Sequence, residues 1–196
     1  GMRHGVRQGS HGFSQYDVCV SENVTVLPDD VSFDAAALVD CYACGVHAMN
    51  RVPDVAGQSV AIIGAGAIAL ALGQVLKANH ASQVILIGTR EQSVELAIAA
   101  SSADVGVVTA NEDVVSAVLA ATGGDGVAVT FETVGGQSQL IQQAVEMTRR
   151  GGVVSVLGLF TKPQAIDPVM AMEHEISIQW SNSFSSWNGE REFVTA

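Results

Sequence analysis

The stretch that decides the fold is Val60-Ala-Ile-Ile-Gly64-Ala-Gly66-Ala-Ile-Ala69. Its pattern is that of a buried strand that runs into a glycine turn and then into a helix. Gly64 permits a tight turn, Gly66 lets the backbone approach a pyrophosphate at the helix N-terminus, and Ala69 allows the helix to pack closely on the strand. This pattern predicts a dinucleotide-binding site. The alternative is a domain that binds S-adenosylmethionine, which also uses a glycine turn.

Strand-like and helix-like segments alternate along most of the chain. The apolar runs predicted as strands are Ser59–Ile63, Gln83–Ile87, Val105–Val108, Val127–Phe131, Val153–Leu157 and Glu175–Trp180. Helical patterns occupy residues 67–79, 91–101, 112–121 and 137–149, and Ser32 predicts the N-cap of a further helix from Phe33 to Arg51. Continuous apolar strands separated by helices predict an α/β Rossmann fold, with a doubly wound, parallel, six-stranded sheet covered by helices on both faces.

Residues 55–76 contain no charged side chain, which raises the alternative of a membrane-spanning helix. Four glycines and the polar Gln58, Ser59 and Gln74 interrupt this run. A buried strand, a glycine turn and a buried helix explain the same composition. We therefore expect no membrane-spanning segment here.

The end of the second strand bears on which cofactor is bound. An acidic residue at this position would hold the ribose diol of NAD, whereas this chain has Gly88-Thr89-Arg90. The planar guanidinium of arginine suits a phosphate group. The sequence therefore favours NADP, with NAD as the alternative if Glu91 pairs with Arg90 or takes over the ribose.

The helix predicted from Phe33 carries Asp40, Cys44 and His47 at spacings that place them on one face. All three are metal-ligand types, but Asp40 and His47 lie about 10 Å apart along the helix axis, so at most one or two of them can ligate one ion. Cys41 and Cys44 form an isolated Cys-x-x-Cys in mid-helix, where neither a redox pair nor a zinc knuckle is expected.

Composition excludes several classes of function. Nine Lys and Arg against 20 Asp and Glu give a net charge of −11, which argues against nucleic acid as a partner. The odd number of cysteines, three, argues against a disulfide scaffold, and no basic-then-apolar leader opens the chain, so we predict a cytoplasmic protein. Charged residues make up only 15%, which suggests that another domain or subunit covers part of the surface.

Together these features resemble the medium-chain dehydrogenase/reductase superfamily, in particular its zinc-dependent alcohol dehydrogenase-like members. The segments that carry the resemblance are Gly12-Phe-Ser-Gln-Tyr16, Leu27-Pro-Asp-Asp-Val-Ser-Phe-Asp-Ala-Ala-Ala-Leu38, Gly64-Ala-Gly66, Thr122-Gly-Gly-Asp-Gly126, Phe131-Glu-Thr-Val-Gly135 and Val156-Leu-Gly158. They cover nearly the whole chain and occur in the order that the family has.

The resemblance implies roles for individual residues. Asp40 matches the position of a catalytic zinc ligand, and Cys44 matches a helix residue that meets the nicotinamide. Gly88-Thr89-Arg90 is similar to the Gly-Ser-Arg of NADP-using relatives. With the glycine turn added, the predicted cofactor-binding residues are Cys44, His47, Gly64, Gly66, Ala67, Ile68, Thr89, Arg90, Thr133, Val134, Gly158 and Leu159. No residue of this chain is predicted to be catalytic, and Asp40 is the one predicted metal ligand.

The chain also departs from the family, whose N-terminal barrel domain brings the other zinc ligands. Only the last portion of that domain is expected here, in residues 1–30, which include β-like pieces at 12–16 and 18–20. Residues 31–196 are expected to form the dinucleotide-binding domain, with a shortened C-terminus. Because catalytic zinc takes three protein ligands, we expect zinc only in the intact enzyme.

The resulting hypothesis is the NAD(P)-binding domain of a zinc-dependent alcohol or polyol dehydrogenase, an oxidoreductase that moves hydride between an alcohol or carbonyl and nicotinamide. The isolated chain is expected to be inactive. A zinc-free quinone or enoyl reductase and a non-catalytic NADPH-binding module are the alternatives.

The last predicted strand, residues 175–180, alternates polar and apolar residues, which predicts that Ile176, Ile178 and Trp180 are buried on one face. As the last strand of the sheet it is expected to lie at an edge, where a second copy of the chain could pair with it. The resemblance implies the same arrangement, so a homodimer through this strand is predicted.

Overall fold

The computed structural model of the chain describes Gln15, Tyr16, Val18, Ser21 and residues 24–196. The chain divides into two compact units, Gly1–Ala36 and Ala37–Ala196. The first contains the short helix α1 (Phe33–Ala36), at whose start Ala35 N–H donates to Ser32 Oγ across 3.1 Å. Ser32 therefore caps a helix as predicted. The β-like pieces predicted at 12–16 and 18–20 lie largely outside the described residues.

The second unit alternates helices and strands. In chain order they are α2 (Val39–Asn50), β1 (Ser59–Ile63), α3 (Ala67–Ala78), β2 (Gln83–Gly88), α4 (Glu91–Ala99), β3 (Val105–Val108), α5 (Val114–Ala121), β4 (Val127–Glu132), α6 (Ile141–Met147), β5 (Thr148–Val156), α7 (Pro168–Glu173), β6 (Ser177–Trp180), β7 (Ser186–Trp187), β8 (Glu190–Arg191) and α8 (Glu192–Thr195). Strands β1 to β6 form one parallel sheet in the order β3-β2-β1-β4-β5-β6, and β7 and β8 form a small antiparallel hairpin. The predicted doubly wound α/β Rossmann fold is confirmed.

The sheet has a hydrophobic core on each face. Because successive strand residues point to opposite faces, Val60 and Ile62 of β1 pack with residues of α2, α3 and α4, while Ala61 and Ile63 pack with residues of α5 and α6. Both faces of the central strands are therefore buried, which explains their continuous apolar sequences. Ala69 of α3 is also buried in the first core, in agreement with the close helix packing predicted for it.

The prediction of a single helix from Phe33 to Arg51 is wrong. A turn at Ala37 and Leu38 separates α1 from α2. The carbonyl oxygen of Leu38 accepts hydrogen bonds from the amides of both Cys41 and Tyr42, at 2.9 and 3.2 Å, so α2 begins from a new turn. Asp40, Cys44 and His47 all lie in α2, as their spacing required.

The edge strand β6 also differs from prediction. Ile176 and Ile178 are half-buried against the second core, but 57% of Trp180 is exposed, so the prediction that Trp180 is buried is wrong. Trp180 lies at the carboxyl end of the strand, opposite Val156 of β5, and an edge strand has a neighbour on one side only.

Helix α7 was not predicted. Asp167 caps it by accepting hydrogen bonds from the amides of Val169 and Met170, at 2.9 and 3.2 Å, and Pro168 occupies its first turn. Asp followed by Pro is a recognisable helix start, so the signal was present in the sequence.

The uncharged run at 55–76 is divided among β1, the glycine turn and α3. Within the part of the chain that the structure describes, no helix has both the length and the apolar character needed to cross a membrane.

Candidate functional site

The glycine turn lies at the point where the sheet reverses its order. β1 has β2 on one side and β4 on the other, and the chain leaves the carboxyl end of β1 through this turn into α3. Gly64 has a φ of +122°, a conformation that favours glycine, and its amide donates to the carbonyl oxygen of Ile87 across 2.8 Å. In open α/β sheets, ligands bind beyond the carboxyl ends of the strands at such a point.

Thr133 fastens β4 to β1 beside the turn. Its amide and its hydroxyl both donate to the carbonyl oxygen of Ile63, at 3.0 and 2.8 Å. Thr133 was predicted to bind the cofactor, and the structure shows that its hydroxyl is already used to hold the two strand ends together.

Gly66 opens the N-terminus of α3. Its backbone is extended, and no side chain caps the 12-residue helix. A methyl group on Gly66 would meet no other atom within 4 Å. The first amides of α3, at Ala67 and Ile68, therefore start a helix whose positive end opens into free space.

A cavity of about 280 Å³, here called the glycine-turn cavity, adjoins this helix end. It brings together five of the predicted residues: Gly64, Gly66, Thr89, Arg90 and Val134. Sequence reasoning missed its other polar lining residues, Ser93, Thr109, Ser138 and Gln143. These come from four separate segments and form no motif, so only the fold brings them to one place.

Arg90 stands at the rim of this cavity as the N-cap residue of α4. Its carbonyl oxygen accepts from the amides of Ser93 and Val94, at 3.1 and 3.2 Å, which anchors its backbone. Its side chain is exposed and, within the described chain, has no hydrogen-bond or ion-pair partner. Glu91 therefore does not neutralise it.

A second cavity, of about 670 Å³ and here called the β5–β6 cavity, lies beyond the carboxyl ends of β5 and β6. Its lining includes the predicted residues Gly158 and Leu159, together with Phe160, Lys162 and Trp180. Leu159 is 82% exposed and Trp180 57%, so this cavity has a largely apolar and accessible wall.

Glu132, the last residue of β4, is a fully buried carboxylate that sequence reasoning missed. Its Oε1 accepts hydrogen bonds from the amides of Val134 and Gly135, at 2.7 and 2.8 Å. Its Oε2 has no partner among the described residues. Burial raises the pKa of Glu132, against the lowering effect of the surrounding amides.

The predicted residues of α2 lie in different surroundings. Asp40 is exposed, whereas His47 is buried and its Nδ1 shares a hydrogen bond of 2.7 Å with Glu192 Oε2. Glu192 also accepts from Asn50 Nδ2 at 3.1 Å and from the Ser185 amide at 2.7 Å, so it is fully partnered although buried. Among the residues described, no three His, Cys, Asp or Glu side chains form a group that could hold a metal ion.

We predict that Cys44 is unreactive. Burial, together with the negative charge of the neighbouring Asp40, Cys41 and Glu192, raises the pKa of its thiol to about 11. The thiolate is the reactive form, so at pH 8 iodoacetamide should modify Cys44 about a hundredfold more slowly in the folded chain than in urea.

Mass spectrometry of a variant that carries both Cys19→Ala and Cys41→Ala measures this rate, because Cys44 is then the one cysteine left in the sequence. Equal rates in the folded and unfolded chains would contradict the prediction.

Comparison with known proteins agrees with this geometry. Residues 67–196 match the profile of a family described as zinc-binding dehydrogenase. The (R,R)-butanediol dehydrogenase of Bacillus subtilis (strain 168) is 31% identical over 171 residues, which are 84% of this chain and 46% of that protein. The chain thus spans about half the length of the curated relatives it matches.

Solved structures give the same result. A zinc-binding dehydrogenase of Sinorhizobium meliloti 1021, bound to NADP, superposes with a TM-score of 0.70 at 28% identity, over 76% of this chain and 44% of that one. Galactitol-1-phosphate dehydrogenase of Escherichia coli covers 94% of this chain and 54% of its own, with a TM-score of 0.84 at 22% identity, a likeness that concerns the fold alone. The resemblance drawn from the sequence is confirmed.

Proposed function

Because this chain belongs to the zinc-binding dehydrogenase family, we propose that it is the NADP-binding part of an alcohol or polyol dehydrogenase. The observation that carries this proposal is the open N-terminus of α3 at Gly66, next to the glycine-turn cavity. A helix N-terminus with free amides and no side chain in front of it suits a pyrophosphate. In this proposal the amides of Ala67 and Ile68 face that group.

The preference for NADP rests on Arg90. Its guanidinium has no partner among the described residues and follows β2, the strand after which the adenosine ribose is expected, and a guanidinium suits a 2′-phosphate. The described cavity lining contains no carboxylate that would hold a ribose diol instead. NAD is the alternative cofactor.

The second nucleotide of the cofactor is expected across the switch point, on the side of β4 and β5. We propose that Val134, Gly158 and Leu159 line that half, which their positions in the two cavities support, and that Cys44 and His47 contact it from α2. When bound, the nicotinamide supplies the hydride chemistry. The chain binds the cofactor and forms one side of the substrate cleft. The substrate is proposed to be a small alcohol, polyol or the corresponding carbonyl compound.

Asp40 remains the one residue proposed as a zinc ligand. It is exposed on α2, and within the described part of the chain it has no companions that would complete a metal site. Those residues by themselves do not fit a catalytic zinc, which needs three protein ligands. We therefore expect this chain alone to bind cofactor without oxidising alcohols.

The partner and location predictions also remain proposals. β6 is an edge strand of the sheet, and its exposed last residue, Trp180, offers apolar surface to a second copy of the chain. The negative charge argues against nucleic acid. The odd cysteine count supports a reducing, cytoplasmic location.

A calorimetric titration with NADPH and NADH tests the proposal, with Gly66→Ala as the informative variant. The added methyl meets no protein atom and the backbone at Gly66 is extended, so the variant should fold normally. Since the methyl would stand in the space of the pyrophosphate, we expect about a tenfold or greater loss of NADPH affinity with an unchanged melting temperature.

Ser82→Ala is the matched control. Ser82 lies just before β2, at the amino ends of the parallel strands, whereas the proposed site lies at their carboxyl ends. It should leave NADPH binding as it is. If the unaltered chain binds neither nucleotide, or if Gly66→Ala binds as well as the unaltered chain, the proposed site is wrong.

A further inference from the structure

Glu132 joins the ends of two neighbouring strands. Its side chain accepts from the amides of Val134 and Gly135 in the loop after β4. Its backbone carbonyl oxygen accepts from the amides of Leu157 and Gly158 after β5, at 2.8 and 3.1 Å. One buried residue therefore binds both loops.

The two loops approach each other through glycines beside this carboxylate. A methyl group on Gly158 would lie 2.7 Å from the Gly135 Cα and still closer to Glu132 Oε2. Both distances are shorter than 3.0 Å, which is the lower limit for contacts of a Cβ atom. Gly135 has a φ of +62°, and a methyl group there would meet the backbone of Gly158 and Leu159 at 2.5–2.8 Å. No room remains for either loop to shift toward the other while Glu132 is in place.

The loops continue to pair beyond this point. The Gly136 amide donates to the Leu159 carbonyl oxygen across 2.9 Å, and the Thr161 amide donates to the Gly136 carbonyl oxygen across 2.8 Å. The residues so connected include Val134, which lines the glycine-turn cavity, and Gly158 and Leu159, which line the β5–β6 cavity. Glu132 thus holds residues that line each of the two cavities, Val134 in one and Gly158 in the other.

We propose that Glu132 is a positioning residue for the nicotinamide half of the cofactor, through its hold on the loops that follow β4 and β5. This inference rests on the proposed function. In the proposed function Arg90 and the glycine turn bind the adenosine and pyrophosphate on the β2 side, and among the described residues the hydrogen bonds of the Glu132 side chain go to the loop after β4 and not to them. Loss of Glu132 should therefore weaken one half of the cofactor site and spare the other.

The test compares NADPH with adenosine 2′,5′-bisphosphate, which carries the adenosine and the 2′-phosphate but no nicotinamide. In Glu132→Ala the two loop amides lose a buried acceptor, so NADPH affinity should fall by about tenfold or more while the bisphosphate affinity changes less than about twofold. Glu132→Gln keeps an oxygen for those amides and should retain most of the NADPH affinity. The fluorescence of bound NADPH reports the nicotinamide directly.

Thr130→Val is the matched control for lost stability. Thr130 lies two residues earlier on the same face of β4, and its hydroxyl shares a buried hydrogen bond of 2.7 Å with that of Thr148. This variant should melt at a lower temperature but bind both ligands as before. If Glu132→Ala does not fold, Glu132→Asp takes its place: the shorter side chain withdraws the carboxylate from the amides of Val134 and Gly135, and the same selective loss of NADPH is expected.

The result for Glu132→Ala tests the role of Glu132, and the result for the unaltered chain tests the proposed function. A parallel loss of both ligands in Glu132→Ala, or no loss of either, overturns the role of Glu132. If the unaltered chain binds the bisphosphate and NADPH, the proposed function stands whatever Glu132 does. If it binds neither, the proposed function fails and the inference fails with it.

Discussion

Replacement of Arg90 by alanine is expected to lower the affinity for NADPH by about ten- to a hundredfold and to leave the affinity for NADH nearly unchanged. The guanidinium is exposed, has no partner within the described chain, and stands at the rim of the glycine-turn cavity. It can therefore bind a 2′-phosphate without first breaking a protein contact. NADH lacks that phosphate, so its affinity should not depend on Arg90.

Calorimetry with both nucleotides measures this selectivity, and Arg149→Ala is the matched control. Arg149 is an exposed arginine near the amino end of β5, whereas Arg90 lies at the carboxyl ends of the strands. The net charge of the chain is −11. Its removal changes the overall charge equally. An equal loss of NADPH affinity in both variants would point to long-range charge, and an equal loss of NADH in Arg90→Ala would show that Arg90 does not recognise the phosphate.

Replacement of Gly73 by alanine is expected to destabilise the fold by about 3 kcal/mol, because a methyl group there has no space. In the middle of α3 it would lie 2.9 Å from the carbonyl carbon of Ser102 and closer still to its oxygen. Ser102 is fully buried and its amide donates to the Ala97 carbonyl oxygen across 2.8 Å, so its backbone is fixed. Alanine raises helix propensity by about 1 kcal/mol, which the clash must exceed.

Thermal unfolding should show this loss as a melting temperature lower by roughly 6–12 °C. Gly45→Ala is the comparison, since its methyl would lie 3.1 Å from the Leu72 Cα, a tight contact that small shifts relieve. We expect a much smaller change there. A Gly73→Ala chain as stable as the unaltered one would mean that α3 can move away from Ser102 without a loss of folding free energy.

The candidate site was predictable in part. Gly64, Gly66 and Arg90 follow directly after apolar strands, and local position alone places such residues at the carboxyl edge of a parallel sheet. Ser93, Thr109, Ser138 and Gln143 could not be found in this way. Ser93 and Thr109 lie far from Ser138 and Gln143 in the chain, and each is an ordinary polar residue until the sheet order brings it to the cavity.

Buried charge was the other feature beyond the reach of sequence reasoning. Glu132 and Glu192 are buried although glutamate is a residue type that is usually exposed. Glu132 is buried because the loop after β4 turns back and offers it two amides, and Glu192 because His47 and Asn50 of α2 lie against it. The partners of Glu192 on α2 are more than 140 residues away in the sequence, so no spacing rule identifies them. The two amides that bind Glu132 are only two and three residues further along the chain, but a turn of this kind leaves no signal in the residue types.

By itself, the sequence determined the fold class, the strand–turn–helix at Gly64 and the family, because these depend on local patterns that persist in any context: apolar runs, glycine positions and helix caps. The tertiary structure alone decided the turn that separates α1 from α2, the exposure of Trp180 and the burial of Glu132. The physical reason is that the burial of a residue depends on which other residues lie around it in the folded chain. An edge strand lacks one neighbour, and a buried carboxylate needs hydrogen-bond partners that the folded chain brings to it, from its own loop for Glu132 and from α2 for Glu192.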